Sequence, residues 1–443
     1  MVKYIIKRIL LSIVILLGVS LIIYVLVRLM PADFLETKYA EQLKQKTITQ
    51  EQIDQMKKDA GVYMPDAYLT VVLGEGSEYN GTRFTKDAKS ANYDRVQNGL
   101  MNASELYFGN YLTEKEDVRL EIKENYEVTV YEINDKGVAE PKESGSCKVD
   151  EETYLMTLTL DGKSVANDIE YRKATGGEKA GAVFIYYFKW LGNMLRGDLG
   201  ESFIHHKPVA TVIAEHMWIS FIISLIATVL QLVIAIPMGI TSATHQYSVR
   251  DYTVTVITMI GISLPSFFFA AILIKIFSSG LGWFPASGLV SGGSSAGGFM
   301  GFLDMVWHLI LPMTVLVVLS IGGLMRYTRT NMLEVLNSDY IRTARAKGLS
   351  EKKVIYVHAF RNTMIPLMTL VAGILPSLFG GAMITEEVFS IDGIGRLAYR
   401  ALSQGDLPFI MGYNMFLAVL TVIGTLLSDI MYAVVDPRVK LTK

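Results

Sequence analysis

Few residues in this 443-residue chain are spaced for catalysis. Gly162-Lys163-Ser164 has the ending of a phosphate-binding loop, but that pattern needs a glycine five residues before Gly162, and Thr157 stands there. The tripeptide follows the alternating run Tyr154-Leu-Met-Thr-Leu-Thr-Leu160, so Asp161-Gly162 reads as a hairpin turn. His205-His206 is the only histidine pair; adjacent side chains diverge, and no third ligand lies nearby in sequence. The single cysteine, Cys147, excludes an internal disulfide and a cysteine-based zinc site. No G-x-S-x-G nucleophile elbow occurs. The residues therefore point away from an enzyme and toward a chain that binds no cofactor or metal of its own.

The richest constellation is the basic stretch Asn337-Ser-Asp-Tyr-Ile-Arg-Thr-Ala-Arg-Ala-Lys-Gly-Leu-Ser-Glu-Lys-Lys353. Asp339 suits the N-cap of a helix starting at Tyr340, and Gly348 suits a left-handed C-cap. Ser350 can cap a second helix running toward Pro366. A short helix with small Ala344 and Ala346 can press closely on a partner, and its basic residues can meet an acidic rim. The plainer reading is an ordinary basic loop beside a membrane; the two-helix punctuation argues against it.

The elements that carry this stretch are apolar. The chain is 51% hydrophobic and only 19% charged, with a mean hydropathy of +0.34, where soluble domains are about 25% charged. Uncharged runs at 9–27, 216–249, 252–274, 305–325, 362–385 and 407–428 are each long enough for one bilayer crossing. The Gly/Ser-rich run around 291–298 reads as a loop. Lys3, Lys7 and Arg8 precede the first run, but it extends to about Met30 with no small-residue cleavage pattern, so it is expected to be retained as a span. The short segments 1–8, 244–251, 326–361 and 436–443 hold 3, 1, 8 and 3 Lys/Arg, whereas 276–304 holds none and 386–406 two. This asymmetry favours both termini inside and places residues 31 to about 215 outside.

The net charge of −2 hides a split: residues 33–180 sum to −10 and the rest to +8. A uniformly basic nucleic-acid binder is excluded. The outer block contains alternating runs such as Val118-Arg-Leu-Glu-Ile122 and Tyr126-Glu-Val-Thr-Val130, preceded by a polar helix over 49–60 capped by Thr49. It is read as a folded α+β domain. The aromatic run Phe184-Ile-Tyr-Tyr-Phe-Lys-Trp-Leu191 suits either the membrane boundary or a cap on that domain's core.

Prolines interrupt several spans: Pro237, Pro265, Pro312, Pro366 and Pro376. A proline removes a backbone donor and bends a membrane helix. Ser263 and Ser266 flank the bend at Pro265, making these three residues candidates for the wall of a path. Asp429, near the inner end of the last span, is a candidate to pair with a basic residue of the inside loop.

The stretch Arg342-Thr-Ala-Arg-Ala-Lys-Gly-Leu349, followed by His358-Ala-Phe-Arg-Asn362, resembles the ATPase-coupling loop of ABC importer permeases. Arg and Thr replace the Glu and first Ala of the general E-A-A-x-x-x-G form, as in the peptide-importer branch. Tyr4-Ile-Ile-Lys-Arg-Ile-Leu10, Leu17-Gly-Val-Ser20 and Arg28-Leu-Met-Pro31 resemble that branch's first span. Trp190-Leu-Gly-Asn193 and Arg196-Gly-Asp-Leu-Gly200 resemble its approach to the second. Leu281-Gly-Trp-Phe-Pro-Ala-Ser-Gly288, Glu386-Glu-Val-Phe389, Gly393-Ile-Gly-Arg396 and Asp436-Pro-Arg438 complete the likeness. It covers roughly 1–66 and 183–443 and leaves 67–182 as an outer insertion.

The resemblance implies the B-type permease of oligopeptide and dipeptide importers: six transmembrane helices of the type I fold in the cell membrane, here with the inserted α+β domain. The implied division is a first helix at 1–30, an outer region at 31–182, an approach segment at 183–215, five helices within 216–435 and a tail at 436–443. A coupling loop at 327–362 would act through Arg342, Thr343, Ala344, Arg345, Ala346, Lys347 and Gly348. Glu386 and Glu387 join Ser263, Pro265 and Ser266 as path or gating candidates. The implied partners are a second homologous permease subunit, two cytoplasmic ATPase subunits holding ATP and Mg, an extracellular peptide-binding lipoprotein, the peptide and membrane lipid. Nickel-chelate or glutathione importers share the branch and stand as the alternative cargo. A membrane-anchored sensor would need an inside output module, and the longest inside segment, 326–361, is too short for one.

Overall fold

The structure, a computed structural model, describes residues 2–28, 50–59, 61–98, 101–134, 136–150, 155–291, 298–372 and 374–435, with single positions between 35 and 48 and at 153. Thr49, Pro31 and the tail 436–443 lie outside the described residues, as does most of the Gly/Ser-rich loop. The chain divides into two compact units, residues 1–34 with 193–443, and residues 35–192.

Helix α1 (Val2–Arg28) opens the first unit. The second unit contains α2 (Gln50–Asp59), then β1 (Ala67–Leu73), β2 (Arg83–Ala88), α3 (Ser90–Gln97), α4 (Ala103–Tyr107), β3 (Gly109–Leu112), β4 (Val118–Ile122) and β5 (Glu127–Ile133). It continues with β6 (Ala139–Val149), β7 (Met156–Leu160), β8 (Lys163–Val165), β9 (Asn167–Lys173) and most of α5 (Gly176–Leu195). All pairings are antiparallel, in the order β8-β7-β6-β5-β4-β3-β2-β1-β9. Only Ala166 separates β8 from β9, so one bent strand pairs with β7 through its first half and with β1 through its second. The sheet thereby closes on itself through this bent strand. The alternation seen in the sequence points inward: Leu69, Val71, Leu73, Phe84, Leu120 and Leu158 are at most 1% exposed. Each such burial contributes about 2 kcal/mol. Val96, Leu106 and Tyr107 from α3 and α4 join the same core.

Asp161 (φ +48°) and Gly162 (φ +77°) form the two-residue turn between β7 and β8, with Leu160 paired to Lys163. That is the geometry of a type I′ hairpin. At the far end of β9, Thr175 and Glu178 make a reciprocal capping box for α5. Thr175 N donates to Glu178 Oε2 (2.9 Å), and Glu178 N donates to Thr175 Oγ1 (3.3 Å). Arg172 adds two bonds to the same carboxylate. Helix α5 has two faces: Tyr187, Trp190 and Leu191 are buried, whereas Phe184, Ile185 and Phe188 are exposed.

The first unit continues with α6 (Val209–Thr244), α7 (Val249–Ser263), α8 (Ser266–Leu273), α9 (Phe299–Leu336), α10 (Asp339–Ala346) and α11 (Glu351–Lys353). A wide helical turn at Val354–Ala359 then leads to α12 (Phe360–Ala372), α13 (Leu375–Gly380), α14 (Met383–Val388), α15 (Ile394–Gln404) and α16 (Leu407–Val435). Four helices among the described residues are long and apolar enough to cross a membrane: those at Arg8–Val27, Val209–Thr244, Phe299–Leu336 and Leu407–Asp429.

Two expected spans differ from simple crossings. Residues 252–274 do not form one bent helix: α7 and the α8 segment meet at 102° across Leu264-Pro265. The run 362–385 is divided among α12, α13 and α14. Pro366 lies inside α12, Pro376 sits in the first turn of α13, and Gly381 at φ +69° stops it. The run 305–325 belongs to a helix that continues to Leu336, so the expected inside loop starts as rigid helix.

Helix α9 is the centre of this unit because glycines let its neighbours approach. A Cβ at Gly239 of α6 would lie 2.8 Å from Met325 O, and one at Gly261 of α7 would lie 2.6 Å from Val318 O. Small residues at such crossings permit backbone contact between apolar helices.

Candidate functional site

Helix α10 projects from the end of α9. It begins one residue earlier than its sequence suggests: Ser338 is the N-cap and Asp339 the first helical residue. The Ser338 hydroxyl donates back to Val335 O (2.6 Å), tying the turn to α9. Gly348 adopts φ +76°, the left-handed stop expected of it.

The helix turns one face inward. Ile341 and Ala344 are 0% and 7% exposed and pack with Ile240 and Ala243 of α6, Met332 of α9, and Val354 and Ala359. Ala344 therefore belongs to the core of this chain. Tyr340, Arg342, Thr343, Arg345, Ala346, Lys347 and Gly348 are exposed. Arg345 forms a fork with Glu351, Nη2 to Oε1 at 2.7 Å and Nε to Oε2 at 3.2 Å, which closes the turn between α10 and α11. The Arg345 guanidinium holds the Glu351 carboxyl below its ordinary pKa. Arg342 has only a long contact to Asp339 (3.6 Å). The outward face thus offers Arg342 and Lys347 as cations beside small Thr343 and Ala346.

A buried ion pair holds the root of this projection. Asp251 in the first turn of α7 is 4% exposed and accepts from Arg329 of α9, Nη2 to Oδ2 at 2.9 Å and Nε to Oδ1 at 3.1 Å. Ser242 at the end of α6 donates to Asp251 and accepts from Arg329 Nε (2.9 Å); Tyr247 N donates to Oδ2 (3.0 Å). Three helices are joined at one carboxylate. This cluster was not singled out from sequence, although Ser248-x-x-Asp251 carries the spacing of a capping box, and Ser248 Oγ accepts from Asp251 N (3.3 Å).

The path candidates are not brought together as one lined surface. Ser263 and Pro265 are exposed at the α7–α8 break, but the Ser263 hydroxyl donates to Met259 O (2.8 Å), and Ser266 is half-buried. Glu386 is 1% exposed. Its carboxylate accepts from Ser220 Oγ (2.8 Å) and Ala382 N (2.9 Å) at Oε1, and from Arg396 N (2.9 Å) at Oε2. A Cβ at Gly381, Gly393 or Gly395 would come within 2.5–2.8 Å of these oxygens. The glycines of Gly393-Ile-Gly-Arg396 make room for Glu386, which is used to hold the 381–396 segment. Glu387 accepts from Arg396 Nε (3.0 Å) and Arg400 Nε (3.2 Å). Asp429 pairs with Arg8 of α1 (3.2 Å), not with the inside loop.

Apolar membrane-length helices packed through glycines, with a short two-faced basic helix on an ion-paired root, define a multi-pass membrane protein. A family model described as the binding-protein-dependent transport system inner membrane component matches residues 235–441. The oligopeptide transport system permease protein AppB of Bacillus subtilis is 43% identical over 287 residues, 64% of this chain and 89% of that protein. A putative peptide transport system permease protein of Brucella abortus is 40% identical over 256 residues, covering 57% of this chain and 78% of the relative. The di/tripeptide transport system permease protein DppB of Pseudomonas aeruginosa is 36% identical over 268 residues, covering 57% and 80%. The chain belongs to the family of inner-membrane permease components of binding-protein-dependent transport systems.

Proposed function

We propose that this chain is one permease subunit of an ATP-driven peptide importer. It pairs with a second homologous permease, two cytoplasmic ATPase subunits and an extracellular peptide-binding lipoprotein. ATP and Mg reside on the ATPases, and the chain's part is to convert their closure into alternating access. The names of its relatives support peptide cargo. The observation that carries the coupling role is α10, whose inner face is locked into the chain's own core while Arg342, Thr343, Ala346 and Lys347 face outward. Six crossings follow if the broken α7–α8 pair and the divided α12–α14 stretch each count as one. The Lys/Arg distribution supports both termini inside and residues 31 to about 215 outside.

The closed sheet within 67–182 is a docking platform for the binding protein or a brace on the second permease. A contact of this kind raises the delivery protein's local concentration. Replacing 67–182 with a short Gly-Ser linker raises the binding-protein concentration needed for half-maximal uptake; an unchanged dependence in an assembled complex removes the platform reading.

The whole reading is tested by uptake into proteoliposomes holding this chain with its second permease and ATPases. Peptide accumulation that needs both ATP and the binding protein is the expected result. Accumulation of a nickel chelate or glutathione with no peptide uptake would replace the cargo. Uptake independent of ATP would remove the importer reading.

A further inference from the structure

The geometry points to a binding site for the phosphate headgroup of an anionic phospholipid, in the cleft between α7 and α9. The two helices touch closely at one level: Gly261 lies against Val318 O, and a Cβ at Gly322 would meet Thr258 O at 2.7 Å. About two turns farther along, the Asp251–Arg329 pair bridges them instead of backbone contact. The helices diverge between these levels, leaving a cleft of about 290 Å³ lined by Tyr247, Tyr252, Thr255, Met259, Met325 and Arg326.

Its charge is unbalanced. Asp251 is the carboxylate at the cleft, and Arg329, Ser242 and Tyr247 N occupy it. Arg326 is left over: its guanidinium reaches across the cleft to the Met259 sulfur (2.6 Å), and no carboxylate among the described residues pairs with it. Arg250, beside Asp251, is exposed and meets the His245 ring (3.3 Å), with no carboxylate paired to it among the described residues. A phosphate oxygen answers an arginine fork better than a sulfur does.

Its depth is right for a lipid headgroup. The uncharged run of α9 ends at Met325, one residue before Arg326, and that of α7 begins at Tyr252, one residue after Asp251. Both boundaries therefore lie at the same end of the helix pair. Tyr247 and Tyr252 are 74% and 60% exposed, as rings at a membrane–water boundary are. Met259 and Met325 lie on the apolar side, where the glycerol backbone and first methylenes would pass. Basic pockets between membrane helices accept anionic headgroups. A zwitterionic headgroup brings its own cation and finds no free carboxylate here, so phosphatidylglycerol is favoured over phosphatidylcholine. This site rests on the reading of the chain as a membrane permease, though its test does not require transport.

The assembled complex is placed in nanodiscs of phosphatidylcholine with about 30 mol% phosphatidylglycerol, and immobilised spin-labelled analogues of each lipid are compared by electron paramagnetic resonance. The wild-type complex retains phosphatidylglycerol several-fold over phosphatidylcholine. Arg326→Gln abolishes that preference, Arg326→Lys restores part of it, and Arg361→Gln, at an exposed cation on another helix, leaves it intact. No preference in the wild type overturns the site, as does an equal loss in Arg361→Gln, which would signal general attraction to basic segments. Displacement by millimolar inorganic phosphate would make it a soluble-anion site and overturns it too. Loss of lipid preference with peptide uptake preserved is compatible with the transport reading, so the two fail separately.

Discussion

Arg329 on α9 and Asp251 on α7 form a two-bond ion pair, 2.9 and 3.1 Å, at the base of the α9 extension that carries α10. The carboxylate is almost fully buried and also holds the end of α6 through Ser242. The ends of α6, α7 and the α9 extension are thereby tied together at one point.

Removing one member of such a pair leaves a buried charge, at a cost of about 3–5 kcal/mol. Asp251→Asn is expected to lower the unfolding midpoint of the purified complex, as is Arg329→Gln. Combining them is expected to cost clearly less than the sum, a coupling of about 1–3 kcal/mol in a double-mutant cycle. Additive losses would show that the pair does not act as a unit.

Within α10, inward and outward positions should behave oppositely. Ala344→Asp buries an unpaired carboxylate against Ile240 and Met332, so it is expected to destabilise the chain and raise its protease sensitivity before any partner is present. Arg342→Glu changes an exposed side chain and is expected to leave the fold intact while weakening ATPase association, more strongly at low salt. Limited proteolysis and ATPase pull-down on both variants separate the two effects.

Cys147 lines the closed sheet at 7% exposure, and burial pushes its thiol up to about 11. It is expected to resist maleimide at neutral pH and to react fully once the protein is unfolded. Mass spectrometry of labelled protein measures this directly, and rapid labelling of the native chain would contradict the packing described.

The cap of α5 is expected to weaken in acid. Hydrogen bonds from Arg172, then Thr175 N, depress the Glu178 pKa from 4.5 to about 2. A depressed carboxylate contributes stability above its unfolded pKa and loses it as pH falls through the folded value, so the window runs from about pH 4.5 down to 2. The protection of first-turn α5 amides, measured relative to their intrinsic exchange at each pH, should fall across that window in the wild type. In Glu178→Gln, exchange there should lack this acid-dependent step.

The sequence displayed what local patterning encodes. Alternation marked β4, β5 and β7, Asp161-Gly162 marked their neighbouring hairpin, and Gly348 marked the end of α10. It did not display what depends on long-range closure. Sheet closure needs β1 and β9 to meet across about a hundred residues, and no local period records that. Nor could spacing show that Ala344 faces inward, because an eight-residue helix with Ile341 and Ala344 on one side serves a core or a partner equally well. Glu386 was named a path candidate, together with Glu387, under the family resemblance. Its glycine neighbours, which give it room, were the unread signal.

The central claim is that the outer face of α10 docks on an ATPase subunit. Single cysteines at Arg342, Thr343, Ala344, Ala346 and Lys347, in a chain whose native Cys147 is buried, can be tested for cross-linking to the ATPase in the assembled complex. The account predicts cross-links from 342, 343, 346 and 347 that shift with nucleotide state, and none from 344. Absence of cross-links from the four exposed positions, or a cross-link from 344 alone, would contradict it.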